Sequence, residues 1–302
     1  MRFGDEPEST NFEDVTGRSG MGFGGGGGNA LGCLLPLIAS RFGIGGVIVL
    51  VIGYFLLSSL GGLGGGGGGG NGSLVPSAQQ TAPAGQSTLD PNTRHFMLQV
   101  LGSTEKTWNQ LLGGRYTPTT LVAYSRSYQS GCGAAQSAMG PFYCPTDKKI
   151  YLDTEFFNEL SQRFQAPGDF AQAYVIAHEV GHHVQDLLGT LDTAHNAQAR
   201  VSETHGNAIQ VKVELQADCY AGVWAARDYQ LHKDRISASD VENGLNAAAQ
   251  IGDDTLQKQA QGYVVPDAFT HGTSAQRVAW FRQGMVTGEL RQCGTFSLQD
   301  PR

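Results

Sequence analysis

Residues 174–185 read YVIAHEVGHHVQ and contain His178-Glu179-Val180-Gly181-His182. Two histidines four positions apart lie one above the other on a helix, so both imidazoles can reach one metal ion. Glu179, beside the first histidine, is placed to take a proton from a water that the metal holds. Histidine and carboxylate in this spacing point to Zn2+ and to hydrolysis. Two ligands are not enough, because a catalytic zinc site takes three from the protein. A longer form of the motif would need Gly at position 185 and His at position 188, which hold Gln185 and Leu188. The other source of a third ligand is a carboxylate on a later helix. Glu214 fits, in a helical pattern from Asn207 to Tyr229. Asp218 is four residues further on the same face, where it can accept a hydrogen bond from a ligand histidine. Ala217, Ala221 and Ala225 are small enough to let this helix approach the first. Glu203, His205 and His195 are lesser candidates in the polar stretch between the helices.

The elements that must hold these residues read as a mostly helical α+β domain with a small sheet. Phe96, Val100, Leu101, Trp108, Leu111 and Leu112 have helical spacing, interrupted by Gly102. Thr120–Tyr128 reads as a strand, and Gly140–Pro145 and Lys149–Asp153 as two further extended segments. Within these, Tyr143–Asp153 is where an extended peptide could lie. Phe156–Phe164 is a short helix, and Asp169 is the N-cap of the helix that carries the histidines. Leu188–His205 reads as a loop. One further helix is expected from Ser239, its N-cap, to Gln261, and a last one from Thr273 to Gly288.

Zinc hydrolases also need a donor for the oxyanion that forms on the substrate. His271 and Arg277 are the candidates, balanced against a plain capping segment with an exposed arginine. Tyr220 and Tyr263 are weaker. His183 points off the metal face and reads as packing.

The rest of the chain bears on location. Residues 1–41 form a polar, acidic, glycine-rich N-terminal segment expected to be disordered and cytoplasmic. Phe42–Leu60 carries no charge and has the length of a bilayer crossing. Arg2, Arg18 and Arg41 precede it and no Lys or Arg follows until Arg94, so the positive-inside rule puts the remainder outside the cytoplasm. It is read as an uncleaved signal anchor in the cell membrane, single-pass, with the catalytic domain periplasmic or extracellular. Residues 61–91 are a flexible linker, and residues 92–302 are the folded domain. The chain's 43 glycines cluster at Gly24–Gly28 and Gly64–Gly70. A net charge of −7 with no basic block argues against nucleic acid as a partner. Of five cysteines, four follow the apolar segment. An even number in an exported domain suggests disulfides. Cys132–Cys144 is the local choice and leaves Cys219–Cys293, against the alternative of four reduced, buried thiols.

HEVGHHVQ and ELQADCYAGVWA, together with CGAAQSAMGPFYCP, KIYLD, NAAAQIGDD and HGTSAQRVAWF, resemble the bacterial neutral zinc metallopeptidase family over most of residues 92–300. The E-x-x-x-D arrangement is similar to that of gluzincins more broadly. The resemblance implies a zincin-like domain behind one transmembrane helix. It implies His178, His182 and Glu214 as zinc ligands, Glu179 as general base, and Asp218 as support for a ligand. The expected function is membrane-anchored hydrolysis of peptide or protein substrates. A zinc-stabilised scaffold without turnover and a hydrolase of a non-peptide amide are the alternatives.

Overall fold

The computed structural model describes residues 6–17, 87–162, 164, 166, 168–232 and 236–296. The Phe42–Leu60 anchor and most of the linker lie outside the described residues. Among the described residues no helix is long and apolar enough to cross a membrane.

The architecture is mostly helical with a small sheet. The strands are β1 (Phe12–Asp14), β2 (Thr120–Tyr124), β3 (Ser127–Ser130), β4 (Gly133–Gln136), β5 (Phe142–Cys144) and β6 (Lys149–Asp153). Four of them form one sheet in the order β1-β2-β6-β5. β1, β2 and β6 run parallel, and β5 is the antiparallel edge. β3 and β4 form a separate hairpin. The single strand expected over Thr120–Tyr128 therefore breaks in two. The break is at Arg126, whose φ of 66° a strand cannot accommodate.

The helices are α1 (Pro91–Leu112), α2 (Phe156–Gln162), α3 (Asp169–Leu187), α4 (Thr190–Gln198), α5 (Glu203–Leu231), α6 (Ala238–Gln250), α7 (Asp253–Gln261) and α8 (Ser274–Thr287). α3 is the hub, packing against α1, α2, α4, α5, α6, β5 and β6. Its side chains from Phe170 to Val184 are buried almost throughout, as expected of a helix covered on all sides. α5 and α8 cross so closely that a Cβ on Gly284 would sit 1.9 Å from the Cys219 carbonyl oxygen. Only glycine allows that contact. Trp108 of α1 and Trp224 of α5 fill the core between them.

Several expectations change. The loop expected over Leu188–His205 contains α4, and α5 starts at Glu203. α4 has a single buried residue, Ala194, so no apolar stripe announces it. The helix expected over Ser239–Gln261 is two, broken at Ile251–Gly252, and its N-cap is Ser237, which forms a capping box with Asp240. The N-cap before α3 is Gly168, with Asp169 in the first turn. Residues 6–17, expected to be disordered, are folded onto the domain. β1 pairs with β2, and Val15 is buried against Val122, Tyr124 and Tyr151. Both disulfides expected from the sequence are formed, Cys132–Cys144 and Cys219–Cys293.

Candidate metal centre

α3 puts His178 and His182 one turn apart, and α5 lays Glu214 against them. The two helices meet at Gly181, where an added Cβ would come within 3.1 Å of the Ala217 carbonyl oxygen. The small residue between the histidines and the alanine after Glu214 thus set the distance across which the ligands face each other. Glu214 Oε2 lies 3.2 Å from His178 Nε2 and 3.5 Å from His182 Nε2. Ligand atoms about 2.0–2.2 Å from a tetrahedral zinc stand about 3.3–3.6 Å from one another, so the observed spacings fit. All three ligand atoms lie within 4.8 Å of one another.

The remaining ring nitrogens are already engaged, which leaves both Nε2 atoms for the metal. His178 Nδ1 donates to Asp218 Oδ1 at 2.9 Å. His182 Nδ1 donates to Gln185 Oε1 at 2.8 Å. Burial would raise Glu214, but the charge of His182 and hydrogen bonds from both histidines hold it well below the usual carboxylate range. An ionised carboxylate beside two oriented imidazoles is a donor set that suits Zn2+.

The family model described as "Putative neutral zinc metallopeptidase" matches residues 1–296. The chain belongs to this family. It is 42% identical to the uncharacterized protein YpfJ of Escherichia coli K12 over 98% of this chain and 99% of that one. It is 44% identical to the uncharacterized protein Rv2575 of Mycobacterium tuberculosis H37Rv over 66% of this chain and 69% of that one. No solved structure matches the chain significantly.

Glu179 is 7% exposed and has no hydrogen-bond partner among the described residues. Asp218 is more heavily supported than the sequence suggests. Its oxygens accept from His178, from Tyr174 Oη at 2.5 Å, and from Arg277 Nε and Nη2, both at 2.9 Å. Burial would raise Asp218, but Arg277 and His178 bring it down to about 2. Burial would lower His178, but Asp218 and then Glu214 raise it to about 9 in the metal-free protein.

Arg277 is not the exposed arginine of a plain capping segment. It is 2% exposed and clamps Asp218 on the Nδ1 side of His178. Through Asp218 it is coupled to His178, whose Nδ1 donates to the same carboxylate. His271 is placed differently. Asp253 accepts from its Nδ1 at 3.1 Å and from the backbone N–H groups of Thr270, His271 and Gly272. Burial would lower His271, but its hydrogen bond to Asp253 and the nearby charge of Glu214 hold it above the ordinary histidine value. His183 faces the sheet, with Nδ1 3.1 Å from Tyr143 Oη and Nε2 donating to the Thr117 carbonyl. His195, Glu203 and His205 do not join the cluster. Tyr220 packs edge-on against Trp108, and Tyr263 is exposed.

Three supporting residues are not among the sequence candidates, although each lies in a stretch that carries the family resemblance. Gln185, on α3, also donates to the Val213 carbonyl and to Gln216 Oε1. Gln216 passes the chain on to the Cys293 carbonyl at 2.9 Å. Asp253 opens α7, and the local hint of it is an acidic pair after Gly252 at a helix start.

Proposed function

We propose that the domain is a zinc-dependent peptidase in which His178, His182 and Glu214 hold the ion. The observation that carries this is a His-His-Glu cluster, with Glu214 at 3.2 and 3.5 Å from the two imidazoles, beside a buried Glu179 that has no hydrogen-bond partner among the described residues. A site that only stabilised the fold would close with a fourth protein ligand. Bound zinc would supply Lewis acidity to the scissile carbonyl and make water more acidic.

The chain's own groups do the rest. Glu179 accepts the proton of the attacking water and passes it to the departing amine. His271, fixed by Asp253 through Nδ1, offers its other ring nitrogen as donor to the oxyanion. Asp218 and Gln185 keep both ligand imidazoles in the tautomer with Nε2 free. The extended substrate would add to β5, the antiparallel edge, which the Tyr143 hydroxyl ties to α3 by donating to Asp186 at 2.8 Å. β6 is paired on both sides and has no free edge.

Two disulfides support an oxidising compartment outside the cytoplasm. Attachment to the bilayer through Phe42–Leu60 rests on the apolar sequence. The test is metal analysis with a broad peptide-cleavage profile of wild type and E179Q. E179Q should keep its zinc and lose cleavage by at least about 100-fold, the usual scale for a general base. Equal cleavage by both would remove Glu179 from the chemistry. Zinc in both with cleavage by neither would favour a scaffold.

A further inference from the structure

The N-terminal segment is fastened to the domain at several independent places. Its backbone pairs in parallel register, Phe12 with Leu121, Glu13 with Val122 and Asp14 with Ala123. The Ser9 N–H donates to the Leu98 carbonyl, and the Ser9 hydroxyl and Asn11 amide both donate to Glu105 of α1. Lys149 of β6 reaches Glu13 at 2.6 Å. The domain is shaped to receive it. A Cβ on Gly102 of α1 would come within 2.4 Å of the Pro7 carbonyl oxygen, so this glycine opens the groove through which the segment passes. Gly102 looked like a flaw in a helical pattern, and this contact accounts for it.

The segment also meets the far end of the stretch that follows it. The Thr88 N–H donates to Thr16 Oγ1 at 2.9 Å, and the Ser87 hydroxyl donates to Asp14 at 2.5 Å. The described residues on either side of positions 18–86 therefore lie within a hydrogen bond of each other. Phe42–Leu60 lies between these two points. One crossing of a bilayer would separate them by about 30 Å of hydrocarbon. A strand cannot pair across that distance, in its own molecule or in a neighbour whose domain faces the same way.

We infer that the N-terminal strand and the metal centre share one compartment, and that residues 18–86 make no net crossing of a membrane. A cytoplasmic N-terminus with an external domain does not fit β1 docked on β2. The inference stands on strand pairing and does not depend on the peptidase reading.

The experiment uses the full chain in a C33S background, because the four other cysteines are paired in disulfides. T10C and V286C each place one thiol at an exposed position, Val286 being 79% exposed. Neither side chain belongs to the metal site. Sealed vesicles of both orientations are treated with a membrane-impermeant maleimide before and after detergent. T10C and V286C should react in the same orientation, or together in the soluble fraction. Reaction of T10C only in the orientation where V286C is protected would overturn the inference and restore the single-pass anchor.

Discussion

The two ligand histidines sit one turn apart on the same helix but are held by opposite kinds of chemistry. His178 rests on a charged group: Asp218, clamped by Arg277 and capped by Tyr174. His182 rests on a neutral one: Gln185, backed by Gln216 and by the Val213 and Cys293 carbonyls. The charged support fixes its histidine strongly, and each member depends on the others because an unpaired charge in that position is expensive. The neutral support costs little to bury and fails gently. Cys219 directly follows Asp218, and its disulfide partner Cys293 receives the Gln216 amide, so one covalent bond fastens the ends of both supports.

The largest effect is expected where the charged support is broken. D218A removes every acceptor Arg277 shares with His178 and leaves a guanidinium buried without its counter-ion. Folding stability should fall by about 3–5 kcal/mol, read by denaturant unfolding of the metal-free protein. Zinc affinity should fall by about 10–100-fold, read by chelator competition. If D218A unfolds no more easily than wild type, the charged support is not what holds this face of α3.

The same contrast decides what could be seen in the sequence. The charged half was legible because its residues recur at helical spacing, His178 with His182 and Glu214 with Asp218, and because acids and histidines are chemically conspicuous. Arg277 was conspicuous too, but its role was not. Whether an arginine faces the oxyanion or the back of a ligand depends on how α8 crosses α5 at Gly284, a contact between residues far apart in the chain. The role of the neutral half was not legible: Gln185 and Gln216 lie in stretches that carry the resemblance, but as glutamines on a helix they look like any helical surface. Asp253 was hidden likewise, because its partners at 270–272 come from another loop. The helical class followed from periodicity, and the missed pieces are those without it: α4, with one buried side chain, and the three-residue β1, embedded in acidic sequence.

A smaller effect is expected on the neutral side, where two variants separate orientation from packing. Q185L removes both the acceptor for His182 and the donor to Val213. Q185E keeps the acceptor and loses the donor. Zinc affinity should drop by about 10-fold in Q185L, the low end for a residue that supports a ligand, and be retained in Q185E. Both should lose about 1–3 kcal/mol of stability, because the buried Gln216 Oε1 loses the donor that Gln185 supplies, while the Val213 carbonyl keeps its helical hydrogen bond. Equal zinc affinity in Q185L and wild type would mean that His182 needs no support from Gln185.

The smallest effect belongs to Tyr174, at the edge of the charged support. Y174F deletes one donor to Asp218, while the ring keeps its edge-on contact with Phe281, 5.1 Å between centroids. Asp218 retains His178 and both Arg277 nitrogens, so its charge stays paired. The loss should be about 1–2 kcal/mol, the scale of one hydrogen bond to a charged group, with zinc affinity changed by less than about 10-fold. The ratio to D218A is the informative quantity. A carboxylate held by several donors loses little with one of them, whereas one held chiefly by tyrosine would make Y174F as damaging as D218A. Comparable losses in the two variants would therefore shift the anchor of His178 from the arginine to the phenol and dissolve the distinction between a charged and a neutral support.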